Sequence, residues 1–183
     1  DNPFDFEPGG TAVIEYRGPG DWTEPVDAFA DGLIPWRFKE LGGRLHMIGY
    51  VGGENVYDND AECIETYWLV SDDGEQWDAF LPTGPIVRIG GASETDFVIR
   101  EDGTLVAVAR NEAGDELGFG SHVCTAPADD LGDWDCVADP RKYDSPLMLL
   151  HDDQPWLIGR RHVTESGQYD VCAAKLVICG REG

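Results

Sequence analysis

The sequence predicts an all-β chain, a β-propeller of four-stranded antiparallel blades. Three observations lead there. Trp22, Trp77 and Trp134 each follow a tight Gly-containing turn and stand 55 and 57 residues apart, and a period of about fifty marks an array of supersecondary units. No stretch keeps a 3.6-residue apolar period, and Gly or Pro interrupts every candidate helix. Pairs of strand-like runs joined by short Gly- or Asp-containing turns recur between the tryptophans, as hairpins do. A lectin-like sandwich is the competing architecture, but it needs no regular recurrence of both turn types.

Taken in order, residues 1–10 read as a linker and Asp1 as a processed or trimmed start. Residues 11–16, TAVIEY, are a strand by β-branched and aromatic content. The chain turns at Gly18-Pro19-Gly20, and a short strand follows Trp22. Residues 36–41 and 44–50 then pair as strands around Gly42-Gly43. The cycle repeats with a strand at 63–70, the turn 71–77, a short strand at 78–81, and a hairpin of 96–100 with 104–110. A third pass runs from 122–126 through the Trp134 turn to 135–138, then pairs 145–150 with 155–161. Residues 169–178 begin a fourth.

The repeats are thus 11–61, 62–117, 118–167 and the start of another at 168–183. They make roughly three and a half blades, where a ring needs about four to eight. The expectation is a fragment or cleaved chain of a longer propeller, with a second copy of the chain, two three-bladed halves closing a six-bladed ring, as the other way to complete it.

Composition limits the function. The 183 residues are 42% apolar, enough for one domain with a core. No window approaches eighteen apolar residues, so no membrane-spanning segment is predicted. The formal charge of −23, from 36 acidic and 13 basic residues, excludes nucleic acid as a partner, because its phosphates would be repelled. It reads as a solvated acidic surface. Asp58-Asn59-Asp60 with Glu62 offers hard oxygen ligands for calcium near Asp58 and Asp60, but without the fixed spacing of a dedicated calcium loop; no other metal or cofactor is expected. The sequence has no phosphate loop, nucleophile elbow or dinucleotide fingerprint.

Five cysteines fit an oxidising compartment, so the protein is expected to be extracellular or periplasmic. Cys124 and Cys136 flank the third turn symmetrically, and an antiparallel hairpin would set them opposite each other as a disulfide. Cys172 falls at the place of Cys124 in the next repeat with Cys179 its nearest possible partner, and Cys63 is left over. No Cys/His spacing suggests zinc.

Connectivity then places the chemistry. If the strand after each Trp segment is innermost, the residues before it and after its hairpin partner gather at one end of the channel. The Trp turns fall at the other end. The three starts bring Arg37, Glu94 with Asp96, and Asp144; the three returns bring Tyr50, Arg110, and Arg160, Arg161 and His162. Glu94, Asp96 and Asp144 are the candidate acid–base groups, and the others candidate donors to an anionic or polyhydroxyl ligand. Trp68 and Trp156 are expected between blades; His122 and His151 read as surface or packing residues.

Ser71-Asp72-Asp73-Gly74-Glu75-Gln76-Trp77 resembles the aspartate box of the sialidase superfamily, one residue shorter than the usual Ser-x-Asp-x-Gly-x-x-Trp. The run from Ser93 to Arg110 looks like the inner hairpin of sialidase-like proteins, echoed by Gly42-Gly43-Arg44-Leu45 and Gln154-Pro155-Trp156-Leu157. The resemblance implies a six-bladed, secreted propeller that handles glycans, possessing glycoside hydrolase activity or binding a glycan without cutting it. Sialidases hold a substrate carboxylate with three arginines and use an aspartate acid and a tyrosine–glutamate nucleophile. No Arg-Ile-Pro occurs here; Arg37 is the nearest counterpart by place, and the nucleophile would fall in later blades. The alternative is a non-catalytic cell-surface propeller that binds a protein or carbohydrate.

Overall fold

The structure, a computed structural model, describes residues 9–29, 31–52, 56, 63–112, 120–162 and 169–176. The described residues are all-β, with sixteen strands and antiparallel pairing throughout. Near the N-terminus, β1 (Thr11–Val13) pairs with β4 (Val26–Phe29), and β2 (Tyr16–Gly18) with β3 (Asp21–Trp22). Three larger sheets follow in chain order.

The first sheet holds β5 (Ile34–Leu41), β6 (Arg44–Val51), β7 (Ile64–Ser71), β8 (Asp78–Ala79) and β9 (Ile86–Gly90), with β8 and β9 sharing the outer side of β7. Its first hairpin closes on Gly42 and Gly43, at φ 59° and 81°, the left-handed pair that a two-residue turn needs to match strand twist. The second sheet runs β10 (Ala92–Ile99), β11 (Leu105–Asn111), β12 (Gly120–Ala126) and β13 (Asp135–Asp139). The third runs β14 (Tyr143–His151), β15 (Gln154–His162) and β16 (Tyr169–Lys175). Each of the first two sheets therefore straddles two sequence repeats, its inner hairpin from one and its outer strands from the next.

Strand alternation decides how the sheets stack, because successive side chains point to opposite faces. Ile48, Trp68 and Val87 of the first sheet meet Phe97, Leu105, Ala107, Cys124 and Ala126 of the second. The next residues along, Val98, Val106 and Val108, meet Tyr143, Met148 and Leu157 of the third. The second sheet is consequently buried on both faces. Trp68 lies between the first two sheets as the sequence predicts, fully buried and stacked on Phe80 with centroids 3.9 Å apart. On the far side of the first sheet, Met47 and Leu69 are covered by Leu33 and Phe29. The described strands close neither a barrel nor a ring.

The disulfide joins Cys124 to Cys136, directly opposite each other on β12 and β13. Cys172 and Cys63 are free thiols in the structure; Cys179 and the proposed calcium residues Asp58 and Asp60 lie outside the described residues.

The three tryptophan turns are not equivalent, and the sequence expectation is corrected here. Trp77 Nε1 donates to the carbonyl of Gly74 at 3.0 Å and Trp134 Nε1 to that of Leu131 at 2.9 Å, so both indoles fold back over their turns. Trp22 instead lies on the small β2–β3 hairpin, more than half exposed and packed on Tyr16. It precedes the first large sheet and has no sheet edge to cover. The aspartate-box-like turn has the bonds its residues suggest. Ser71 Oγ accepts from Gly74 N at 2.7 Å, and Asp73 Oδ1 accepts from Glu75 N and Gln76 N at 2.8 and 2.9 Å.

Candidate functional site

The first-named strands of the three sheets, β5, β10 and β14, are tied together at Asp96. Its carboxylate is fully buried, and a buried carboxylate is tolerated only with compensating charge and donors. Lys39 Nζ lies at 2.9 Å and Arg37 Nε at 3.4 Å, both from β5. Met148 N of β14 donates to Oδ2 at 2.6 Å, and Phe97 N to Oδ1 at 2.7 Å. The two cations also reach across: Arg37 Nη2 donates to the carbonyl of Pro146 at 2.6 Å and Lys39 Nζ to that of Met148 at 3.0 Å. Asp96 is enclosed on every side by groups that hold strands together.

A second cluster forms where β10 and β14 begin and β11 and β15 end. Arg110 is its hub. Its Nη1 donates to Glu94 Oε1 at 3.1 Å, and its Nε lies 2.6 Å from Glu112 Oε2 and 2.7 Å from Asp144 Oδ1. One N–H cannot aim at two oxygens, and neither contact is in line for a hydrogen bond, so these are charge contacts. Asp144 Oδ2 meets His162 Nε2. Ser145 N donates to Glu94 Oε2 at 2.5 Å, and Arg160 Nη2 donates to Ser145 Oγ at 2.9 Å. Ser145 has φ 50°, a conformation costly for a residue with a Cβ, and such strain concentrates where surrounding structure demands it. Here it accompanies the register break between Asp144 and Leu147.

Burial sets the protonation tendencies. Glu94, Lys142 and Asp144 are all buried. Burial pushes the Glu112 carboxyl up from its ordinary value, and Arg110 and Lys142 only partly pull it back. Burial likewise lowers the Lys142 ammonium, with Glu112 opposing. For Arg110 burial acts against the charge, but Glu112, Glu94 and Asp144 outweigh it and raise the guanidinium above its usual range. The cluster therefore sets a carboxyl pushed up and an amine pushed down by burial beside a guanidinium that stays charged. Among the described residues, no three His, Cys, Asp or Glu side chains are arranged to hold a metal ion.

Of the residues singled out from sequence, the structure brings Glu94, Arg110, Asp144 and His162 into contact, with Arg160 joined through Ser145. Arg37 goes to Asp96 instead. Tyr50 is fully buried beside Val56, Ile64, Ile34 and Trp36, in the packing of the first sheet. Arg161 points to the opposite face of β15 from Arg160 and lies 3.9 Å from Asp170. Glu112 and Lys142 were missed. Glu112 stands two residues beyond Arg110, the spacing that shares one strand face, so Arg-x-Glu was a readable signal; Lys142 sits in a connection and gave none. Two surface clefts, of about 340 Å³ beside Val13, Thr23 and Asp73 and about 610 Å³ beside Leu81, Ile86 and Asp130, lie away from the cluster.

No protein-family model matches the chain, and no curated protein matches it. Among solved structures, the chain is similar to a protein of Parabacteroides distasonis provisionally assigned as a glycoside hydrolase, at 14% identity and a TM-score of 0.46. The similarity covers 93% of this chain, which spans 57% of that one.

Proposed function

We propose that the chain is part of a sialidase-like β-propeller whose channel mouth holds a glycan at the Arg110 cluster. The observation that carries the reading is the meeting of Glu94, Arg110, Glu112, Asp144 and His162 at the shared end of neighbouring sheets. The aspartate-box-like turn, bonded through Ser71 and Asp73, supports it. Arg160 and His162 would donate to sugar hydroxyls or a carboxylate, and Arg110 would fix the charge between them. Should the glycan be cut, Glu112 is the proton donor, because burial already favours its protonated form, and Asp144 the carboxylate. An oxygen of each lies against the same Arg110 nitrogen, at 2.6 and 2.7 Å, so the two carboxyls stand side by side. The disulfide between Cys124 and Cys136 supports an extracellular or periplasmic setting.

A glycan array followed by calorimetry on the best ligand tests the reading. Arg160→Ala and His162→Ala each remove a donor, and loss of one charge-assisted bond, about 1.5–3 kcal/mol, weakens binding roughly ten- to hundredfold. Arg44→Ala, at an exposed pair with Asp72, leaves it unchanged. Unaltered affinity in the first two variants would overturn the site.

The alternative, a non-catalytic propeller that binds a protein, is favoured by one observation: the cluster's charges meet each other. An array without hits, with a protein co-purifying, would decide for it.

A further inference from the structure

The larger of the two clefts has one apolar wall and one acidic wall. We propose that it binds a basic polypeptide segment of another protein, one in which Lys or Arg alternates with an aliphatic residue.

Two turns make this cleft. Its volume of about 610 Å³ falls within the roughly 300–1,000 Å³ of ligand sites. The segment between β8 and β9, together with the first residue of β9, supplies Leu81, Pro82 and Ile86; the Trp134 turn between β12 and β13 supplies Asp129, Asp130 and Asp133. Both walls are fixed in place. The Leu81 carbonyl accepts from Gly84 N at 3.1 Å, and Leu81, Leu131 and Trp134 all pack on the core between the first two sheets. Asp130 Oδ1 accepts from Gly132 N, and its carbonyl from Asp133 N, each at 3.1 Å. The two turns touch at Gly132, where a Cβ would stand 2.6 Å from Leu81 Cδ1, so only glycine lets the acidic turn come this close. A site already formed costs little ordering when a partner arrives.

Charge names the occupant. Pro82 and Ile86 are exposed, and so are all three aspartates. Among the described residues no cation pairs with Asp129, Asp130 or Asp133, and no Lys or Arg lines the cleft. The smaller cleft also sets Val13, Ile14 and Val26 beside acids, but there Glu15 pairs with Arg17, and Asp73 accepts from Glu75 N and Gln76 N. The larger cleft is therefore the one with carboxylates to spare. A small cation would leave Pro82 and Ile86 in water, and a second copy of a chain of net charge −23 would be repelled. A segment with Lys or Arg beside Leu or Ile meets both walls, through complementary charge and apolar burial. The Arg110 cluster is not involved. Arg110 pairs with Ser121 near the start of β12, whereas the acidic turn follows Ala126, about 17 Å along the strand. The proposal depends on neither the glycan nor the closure of a ring.

Fluorescence anisotropy with three labelled peptides, at a salt concentration near that of serum, tests it. A Lys-Leu-Lys-Ile-Lys peptide is expected to bind, a Lys-Ser-Lys-Ser-Lys peptide at least tenfold more weakly, and a Glu-Leu-Glu-Ile-Glu peptide not at all. Asp129→Asn combined with Asp133→Asn, and separately Ile86→Ser, should each weaken the first peptide about fivefold or more, with circular-dichroism spectra unchanged. Asp21→Asn combined with Asp152→Asn makes the same change in net charge at exposed positions that line neither cleft, and should leave its affinity as it was. Equal weakening by this control pair would reduce the binding to general attraction by an acidic surface and overturn the site. So would failure of every peptide to bind, or equal binding of the Leu/Ile and Ser peptides. Arg160→Ala, which tests the glycan site, should not alter peptide binding, so either proposal can fail alone.

Discussion

At the scale of single residues, the same residue type does opposite things according to its surroundings. Asp96 and Asp144 are both fully buried on inner strands, yet Asp96 is closed in by Lys39, Arg37 and two backbone N–H groups. Asp96→Asn should therefore act on stability: it leaves two half-buried cations without their anion, at about 3–5 kcal/mol, read as a lower urea midpoint with the slope unchanged. His46 supplies a pH dependence. Its ring is held among Trp68 and Phe80 and accepts the indole N–H of Trp68 at 3.0 Å, which requires an unprotonated nitrogen. Burial, then Arg44, lowers its pKa from 6.5. The unfolded chain thus binds a proton that the fold refuses, and stability declines as pH falls below about 6.5. Urea midpoints between neutral and mildly acid pH should fall more steeply in the unaltered protein than in His46→Gln.

At the scale of elements, the turn joining β14 to β15 shows local strain offset by a neighbour. Asp152 and Asp153 have φ of 51° and 56°, left-handed values that cost a non-Gly residue about 1–2 kcal/mol. Asp153 is compensated: its carboxylate accepts from Glu101 N and from Arg100 Nη2, each at 2.8 Å, in the second sheet. Asp152 makes only an exposed contact with His151 at 3.6 Å. Asp152→Gly should raise the thermal midpoint modestly, by up to about 1 kcal/mol of stability. Asp153→Gly should lower it by about 1–3 kcal/mol, although both relieve the same backbone. Opposite signs from adjacent positions would show that the sheet-to-sheet bond, and not the turn type, sets this hairpin.

At the scale of the whole molecule, charge opposes compactness. The excess of acidic groups is carried mainly on the surface, where self-repulsion weakens the fold and salt screens it. The unfolding midpoint should rise as sodium chloride is added at neutral pH, and a flat response would show that the carboxylates are already neutralised locally. Sheet stacking supplies the opposing term. The second sheet buries both faces, against Ile48 and Trp68 on one side and Met148 and Leu157 on the other.

What the sequence determined by itself was local: strands, from β-branched and aromatic runs; turns, from Gly and Asp; the Cys124–Cys136 pair, from symmetric spacing about one hairpin; and an all-β class, from the missing helical period. Those features depend on neighbours a few residues away, so a linear reading can reach them. Only the tertiary structure decided that Trp22 belongs to a separate small hairpin, that Asp96 ties strands together while Asp144 joins Arg110, and that Glu112 and Lys142 complete the cluster. Contacts between sheets join residues about fifty apart, and a carboxylate's role is set by the charge that burial places beside it, which no spacing in the sequence records.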